Sequence, residues 1–254
     1  MNVSVPPPHL APPFSTARQA IDALPCFAAV PERTREALAA QALLHRLPPG
    51  ALLFEQAEIP VFALFLLSGS LRLVGVRGQT EAVIETARPF EPVLPAAVVT
   101  ERPYLLRGRV FEEAQLLLIE AATFRAALGE DIALCRAMLD SVAVQLRRQL
   151  RAAKSFRLRS AEERVAAYLA GQLAEAKGSV EIALVSDKTE IAAHLGVSRE
   201  TFSRTLSGLS ARGVSVDGKR LRIHDVAAFL ARFPPDPFID DSGPLLTTEQ
   251  GNRT

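Results

Sequence analysis

The sequence predicts an α+β protein: an N-terminal antiparallel β-roll, a long amphipathic helix, and a C-terminal helical domain with a helix-turn-helix and a β-hairpin. Three observations predict it. From Leu44 to Ile119, short runs of Leu, Val, Ile and Phe recur between Gly and Pro signals, the pattern of a small antiparallel sandwich or roll. From Ile132 to about Phe156, apolar residues return every three or four positions, which is one seam along a helix. From Asp187 to Arg212, two short helical patterns flank Gly196, a residue that tolerates the backbone of a sharp turn.

Taken in order, residues 1–17 hold Pro6, Pro7, Pro8, Pro12 and Pro13 and read as an extended or disordered arm. Residues 18–128 form the first domain. It opens with helical signals at Arg18–Leu24 and Glu32–Ala42 and continues as the candidate strands LLHRL, ALLFEQ, FALFLLS, LRLVGV, EAVIET, LLRGRVF and AQLLLI. Residues 129–157 carry the long helix, whose seam is Ile132, Cys135, Leu139, Val142, Leu146, Gln149 and Ala153. Such a stripe can pack on the roll of its own chain or against a second copy. Residues 158–233 begin with a helix at Ala161–Ala174, its Val165, Leu169 and Leu173 inward. The tail, 234–254, is polar and proline-punctuated and reads as disordered.

Within the helix-turn-helix, Asp187 and Glu190 fit a capping box, and Ile191, Ala192 and Leu195 fall at helical spacing. Ser198 can cap the second helix, in which Phe202, Leu206 and Leu209 make the inward stripe. Ser198, Arg199, Glu200, Thr201, Ser203 and Arg204 are the candidate DNA-contacting residues. Arg can fork onto guanine O6 and N7, Glu can accept from cytosine N4, and a hydroxyl serves either partner. Taken singly, each charged residue is as readily a solvated helix face, with Glu200 and Arg204 as an i,i+4 pair.

Charge distribution agrees with double-stranded DNA as the partner. Arg147–Phe233 holds 16 Lys and Arg against 9 Asp and Glu, while the rest of the chain holds 13 against 19. Arg147, Arg148, Arg151, Lys154, Arg157 and Arg159 form a basic strip, read either as phosphate contacts or as the wet face of the helix. Cys26 and Cys135 lack metal-ligand spacing. No membrane span or export signal is expected, which implies a cytoplasmic protein. No enzyme activity is expected either: phosphate loop, nucleophile elbow and metal-spaced cluster are all missing, and Glu112-Glu113 and Glu162-Glu163 cannot converge on one substrate.

The run GVSRETFSRTLSGLSARG resembles the helix-turn-helix of the Crp/Fnr superfamily of bacterial transcription regulators, and VSVDGKRLRIHDVAAF resembles its two-stranded wing and closing helix. Val214–Val216 and Arg220–Ile223 flank Asp217-Gly218, a hairpin signal. The segment PPGALLFEQAEIPVFALFLLSGSLRLV is similar to the jelly-roll of the cyclic-nucleotide-binding fold. The resemblance implies a winged helix-turn-helix joined by a dimerisation helix to a sensor roll, acting as a homodimer. Glu200, Ser203 and Arg204 match the pattern that reads FNR-like TTGA…TCAA half-sites. RNA polymerase is an implied partner if the protein activates.

The sensor departs from its family. Where the family has Gly-Glu and Arg-Ser pairs for a cyclic nucleotide, this chain has Glu91-Pro92 and Tyr104-Leu105, and EQAEIP lacks the usual Gly-Asp. Proline offers no N–H to an anion and Tyr-Leu no charge, so cyclic AMP is not the expected ligand. With Cys26 alone near the N-terminus, an iron–sulfur cluster is not expected. Tyr in place of Arg is similar to the nitric-oxide-responsive, haem-binding branch, and an effector pocket is expected around Leu94, Val98, Tyr104 and Leu105. Haem, some other small effector and no ligand all stay open; the available histidines are His9, His45, His194 and His224. The alternative to a regulator is a ligand-binding or interaction module whose C-terminal domain docks a protein.

Overall fold

A computed structural model describes residues 14–175, 181–183, 188–210, 212–217 and 220–240. The chain divides into two units, residues 1–143 and 144–254, with the division inside the long helix.

The first unit begins with helix α1, Ala17–Ala23, whose first turn is capped by Thr16 accepting from the Gln19 amide at 3.2 Å. After a 3-10 turn at Pro25–Phe27 comes helix α2, Glu32–Gln41. The strands are β1 (Ala42–Leu47), β2 (Leu52–Phe54), β3 (Phe62–Arg77), β4 (Thr80–Ala87), β5 (Glu91–Val93) and β6 (Arg107–Glu120). They pair antiparallel in the order β1-β6-β3-β4, with β2 added to β6 and β5 to β3. Helix α3, Pro95–Thr100, lies between β5 and β6, and helix α4, Ala121–Glu130, follows β6.

Period-2 alternation explains the long apolar runs of β3 and β6. Ala63, Phe65 and Leu67 of β3, with Leu117 and Ile119 of β6, face a cluster closed by Ile21, Leu24, Phe27, Leu38, Phe124, Leu134 and Met138. Leu64 and Leu66, with Ala114 and Leu116, face the other way, into a cluster with Phe54, Leu71, Leu73, Tyr104 and Val110. Both faces are covered, so neither strand needs polar residues at every second position.

Two pairs of expected strands are each one continuous strand. FALFLLS and LRLVGV join through Ser68-Gly69-Ser70 within β3, and LLRGRVF and AQLLLI join within β6. Gly69 takes φ +82, and the register shifts on either side of it, so the glycine forms a bulge and not a turn. A Cβ there would lie 2.0 Å from the Glu113 carbonyl oxygen. The end of the arm is also ordered further than the sequence suggests. The Phe14 amide donates to Gln115 Oε1 at 2.9 Å, and Gln115 Nε2 donates back to the Phe14 carbonyl at 2.8 Å.

Helix α5, Ile132–Leu158, is N-terminally capped by Asp131, whose Oδ1 accepts from the amides of Ala133 and Leu134. In the second unit follow helix α6 (Ala161–Glu175), strand β7 (Glu181–Ala183), helices α7 (Lys188–His194) and α8 (Arg199–Ser210), strands β8 (Val214–Asp217) and β9 (Arg220–Ile223), and helix α9 (Val226–Arg232). The sheet order is β7-β9-β8, all antiparallel. Val165, Leu169 and Leu173 of α6 close the core with Ile191, Leu195, Phe202, Leu206, Leu209, Val214, Leu221, Ile223 and Phe229. Asp187, the Glu190 side chain and Gly218 lie outside the described residues, as do the capping box and hairpin turn expected there. Residues 234–240, expected to be part of a disordered tail, are held in place: Asp240 pairs with Arg159 and accepts from the Asp236 amide.

Candidate nucleic-acid interface

Helix α8 is set by its first and its inner residues. Ser198 Oγ accepts from the Thr201 amide at 3.1 Å, which satisfies one of the free N–H groups of the first turn. Phe202, Leu206 and Leu209 are buried on one stripe, which fixes the rotation of the helix. Ser198, Arg199, Glu200, Ser203 and Arg204 are therefore exposed, and Thr201 is half-buried. These six residues sit together at the N-terminal half of α8. Arg204 Nη2 reaches Thr201 Oγ1 at 3.4 Å. The Glu200 carboxyl is held below the usual carboxylate range by the backbone N–H at the helix start and by Ser198, with smaller contributions from Arg199 and Arg204. As a carboxylate it presents a pure acceptor, as cytosine N4 requires.

The turn before α8 depends on Gly196. Its φ is +62, and a Cβ there would stand 2.4 Å from the Phe156 ring. Arg164 Nε donates to the Leu195 carbonyl at 2.9 Å and Nη1 to the Arg159 carbonyl at 2.8 Å, supplying the carbonyls that helix ends leave open. Sequence reasoning missed this role, because an arginine on α6 looks like one more solvated charge. On the hairpin, Arg220 and Arg222 are 78% and 57% exposed and share Glu181.

The basic strip on α5 divides. Arg147, Lys154 and Arg157 are exposed, whereas the Arg159 side chain is only 12% exposed and pairs with Asp240. Of the seam residues, Ile132, Cys135, Leu139, Leu146 and Ala153 are exposed, and Val142 and Gln149 half-buried. The face of α5 that enters the roll's core is a different one, Leu134 and Met138.

In the roll, the four expected effector-pocket residues are not brought together. Leu94 and Tyr104 belong to the cluster inside the roll, Val98 belongs to the helix-covered cluster, and Leu105 is 84% exposed. Leu94 and Glu101 take left-handed backbone at the two ends of α3, the helix that carries Val98. Tyr104 stacks on Phe54 with ring centroids 4.0 Å apart, and burial pushes its phenol up to about 12. Its amide donates to the Glu58 carbonyl and its carbonyl accepts from the Ala57 amide, both at 2.8 Å. Arg107, the nearest following arginine, donates from Nε to both Glu55 carboxylate oxygens at 2.9 Å and also pairs with Glu81. Glu91 and Pro92 lie in β5, paired with Leu66 and Phe65.

His45, His194 and His224 are all exposed, and His9 lies outside the described residues. Among the described residues, no group of His, Cys, Asp and Glu could hold a metal ion, and no helix is long and apolar enough to cross a membrane.

A β-roll joined in sequence by a long helix to a winged helix-turn-helix defines a class of DNA-binding regulator folds. Residues 163–232 match the Crp-like helix-turn-helix domain, and this part of the chain is such a domain. The fold as a whole is shared with a solved structure described as a transcriptional regulator of the Crp/Fnr family from Eubacterium rectale, with a TM-score of 0.65 at 16% identity over 82% of this chain and 97% of that one. FixK2 of Bradyrhizobium japonicum aligns with a TM-score of 0.61 at 18% identity, over 75% of this chain and 96% of its own. A CooA mutant of Carboxydothermus hydrogenoformans gives 0.63 at 16% identity, over 76% and 88%. The c-di-GMP-responsive global regulator CLP of Xanthomonas campestris gives 0.61 at 20% identity, over 77% and 100%. A comparison with curated protein sequences finds no match.

Proposed function

We propose that this chain is a sequence-specific transcription regulator that binds DNA as a homodimer and reads an FNR-like TTGA…TCAA palindrome through α8. The observation that carries the reading is the polar N-terminal face of α8: Arg199, Glu200, Ser203 and Arg204 stand exposed together over a buried apolar stripe. Its domains follow the same plan, with a sensor at 18–128, a dimerisation helix at 129–157 and the DNA-binding domain at 158–233. The exposed seam of α5 supports the dimer, since a palindrome needs two recognition helices about one duplex turn apart. The protein is not an enzyme in this reading. It works in the cytoplasm, and RNA polymerase is its further partner if it activates.

The sensor does not use cyclic AMP. Tyr104 turns inward onto Phe54, Leu105 points outward, and Arg107 is engaged by two carboxylates, so these positions offer no free cation to a buried phosphate. Haem fits poorly, because the described histidines are all on the surface.

A gel-shift with a TTGA-N6-TCAA duplex at stated salt tests the reading. Tight, salt-dependent binding is expected, with Arg204→Ala costing roughly 1–3 kcal/mol per half-site. Added cyclic AMP should leave the affinity unchanged. An intact dimer that ignores this duplex and every scrambled control would instead point to a domain that docks a protein.

A further inference from the structure

The segment after α9 returns to the junction between α5 and α6. Arg159 lies in the two-residue link between those helices, and its guanidinium forks onto one carboxylate, Nη1 to Asp240 Oδ1 at 2.6 Å and Nη2 to Oδ2 at 2.5 Å. Side-chain exposure is only 12% for Arg159 and 21% for Asp240, so solvent competes weakly for this pair. The carboxylate is itself pre-set: Asp240 Oδ2 accepts from the Asp236 amide at 2.8 Å, and the Asp236 carbonyl accepts from the Ile239 and Asp240 amides. Two residues further from the end, Phe238 receives Lys154 of α5 with its ammonium 5.5 Å from the ring centroid. The backbone of the same Arg159 is tied to the helix-turn-helix, since its carbonyl accepts from Arg164, which also holds the Leu195 carbonyl.

We propose that Asp240 is a positioning residue for DNA recognition: by clamping Arg159 it fixes how α6, and with it the helix-turn-helix, leaves the end of α5. The inference rests on the regulator reading above and deepens it. Two recognition helices reach half-site centres about 10 base pairs apart only if the junction in each subunit holds one pose. A clamp that links the segment after α9 to that junction supplies the restraint. Backbone bonds already cap the link, the Arg159 amide to the Ser155 carbonyl at 3.1 Å and the Ser160 amide to Glu163 Oε2 at 2.7 Å, and the clamp adds to them a side-chain restraint on Arg159.

The test compares the full chain with Asp240→Asn, with Arg159→Lys, which keeps the charge but loses the fork, and with the exchanged pair Arg159→Asp plus Asp240→Arg. In Asp240→Asn, hydrogen exchange at the Arg159 amide should quicken by about tenfold. On duplexes whose half-site spacing is correct, one base pair shorter or one longer, its affinity should fall about tenfold on the correct spacing and much less on the others. Binding to a single half-site should not change, Arg159→Lys should fall between, and the exchanged pair should recover the spacing preference. An Asp240→Asn protein with wild-type exchange and wild-type spacing preference overturns the proposal, as does an equal loss on every duplex, single half-sites included. If the wild type binds no duplex while the exchange difference stands, the regulator reading fails and the clamp survives only as a restraint on the junction.

Discussion

Individual side chains in the second unit show how narrow the tolerance is around α8. Gly196 combines a positive φ with a contact that leaves no room for a methyl group against Phe156. Gly196→Ala should therefore lose about 1–2 kcal/mol from left-handed backbone alone, and more from the ring it strikes. Chemical denaturation of the single variant, and of Gly196→Ala with Phe156→Ala, measures both contributions. The second change should recover part of the loss, and a single variant as stable as the wild type would show that the turn does not need this backbone. Much of this neighbourhood was legible in the sequence, because Ser198, Gly196 and the Phe202-Leu206-Leu209 spacing act over a few residues. Arg164 was not legible. Its partners, the carbonyls of Leu195 and Arg159, are backbone atoms, and nothing in residue identity announces them.

Among the elements, the strands and helices followed their periodicity, and the departures fall where one signal has two physical meanings. Ser-Gly-Ser reads as a turn, yet Gly69 uses its freedom for a bulge in the middle of β3, so two expected strands are one. Phe14 and the segment 234–240 depart for another reason: their order comes from partners distant in sequence. Gln115 reaches Phe14 across 101 positions and Arg159 reaches Asp240 across 81, and no local pattern encodes such pairs. Gln115 is 4% exposed and forms a two-way bond with the Phe14 backbone. Gln115→Leu removes both bonds while keeping an apolar stem, and should cost about 1–2 kcal/mol. A lower urea midpoint with an unchanged slope is expected, together with faster protease cleavage before Ser15. Unchanged cleavage would mean that the arm is held by Phe14 against Phe90, whose rings meet edge-on at 6.4 Å, and not by the glutamine.

For the whole molecule, the informative feature is that α5 carries two apolar faces and, among the described residues, only one of them enters a core cluster. Leu134 and Met138 are buried, while Leu139 is 67% and Leu146 57% exposed on the other face. A stripe of that length in water is a cost unless something covers it. The three-and-four spacing from Ile132 to Ala153 is what a second, two-fold related helix would cover. Replacing both Leu139 and Leu146 by Lys should then convert dimer to monomer in sedimentation. Helical circular dichroism should be unchanged, because neither side chain is part of any of the three core clusters. Affinity for the full palindrome should fall to that for one half-site, since the second recognition helix is no longer held at high effective concentration. A double-lysine protein that sediments as the wild type does would show that these two leucines do not form the dimer interface. The symmetric placement of α8 would then have to come from another surface.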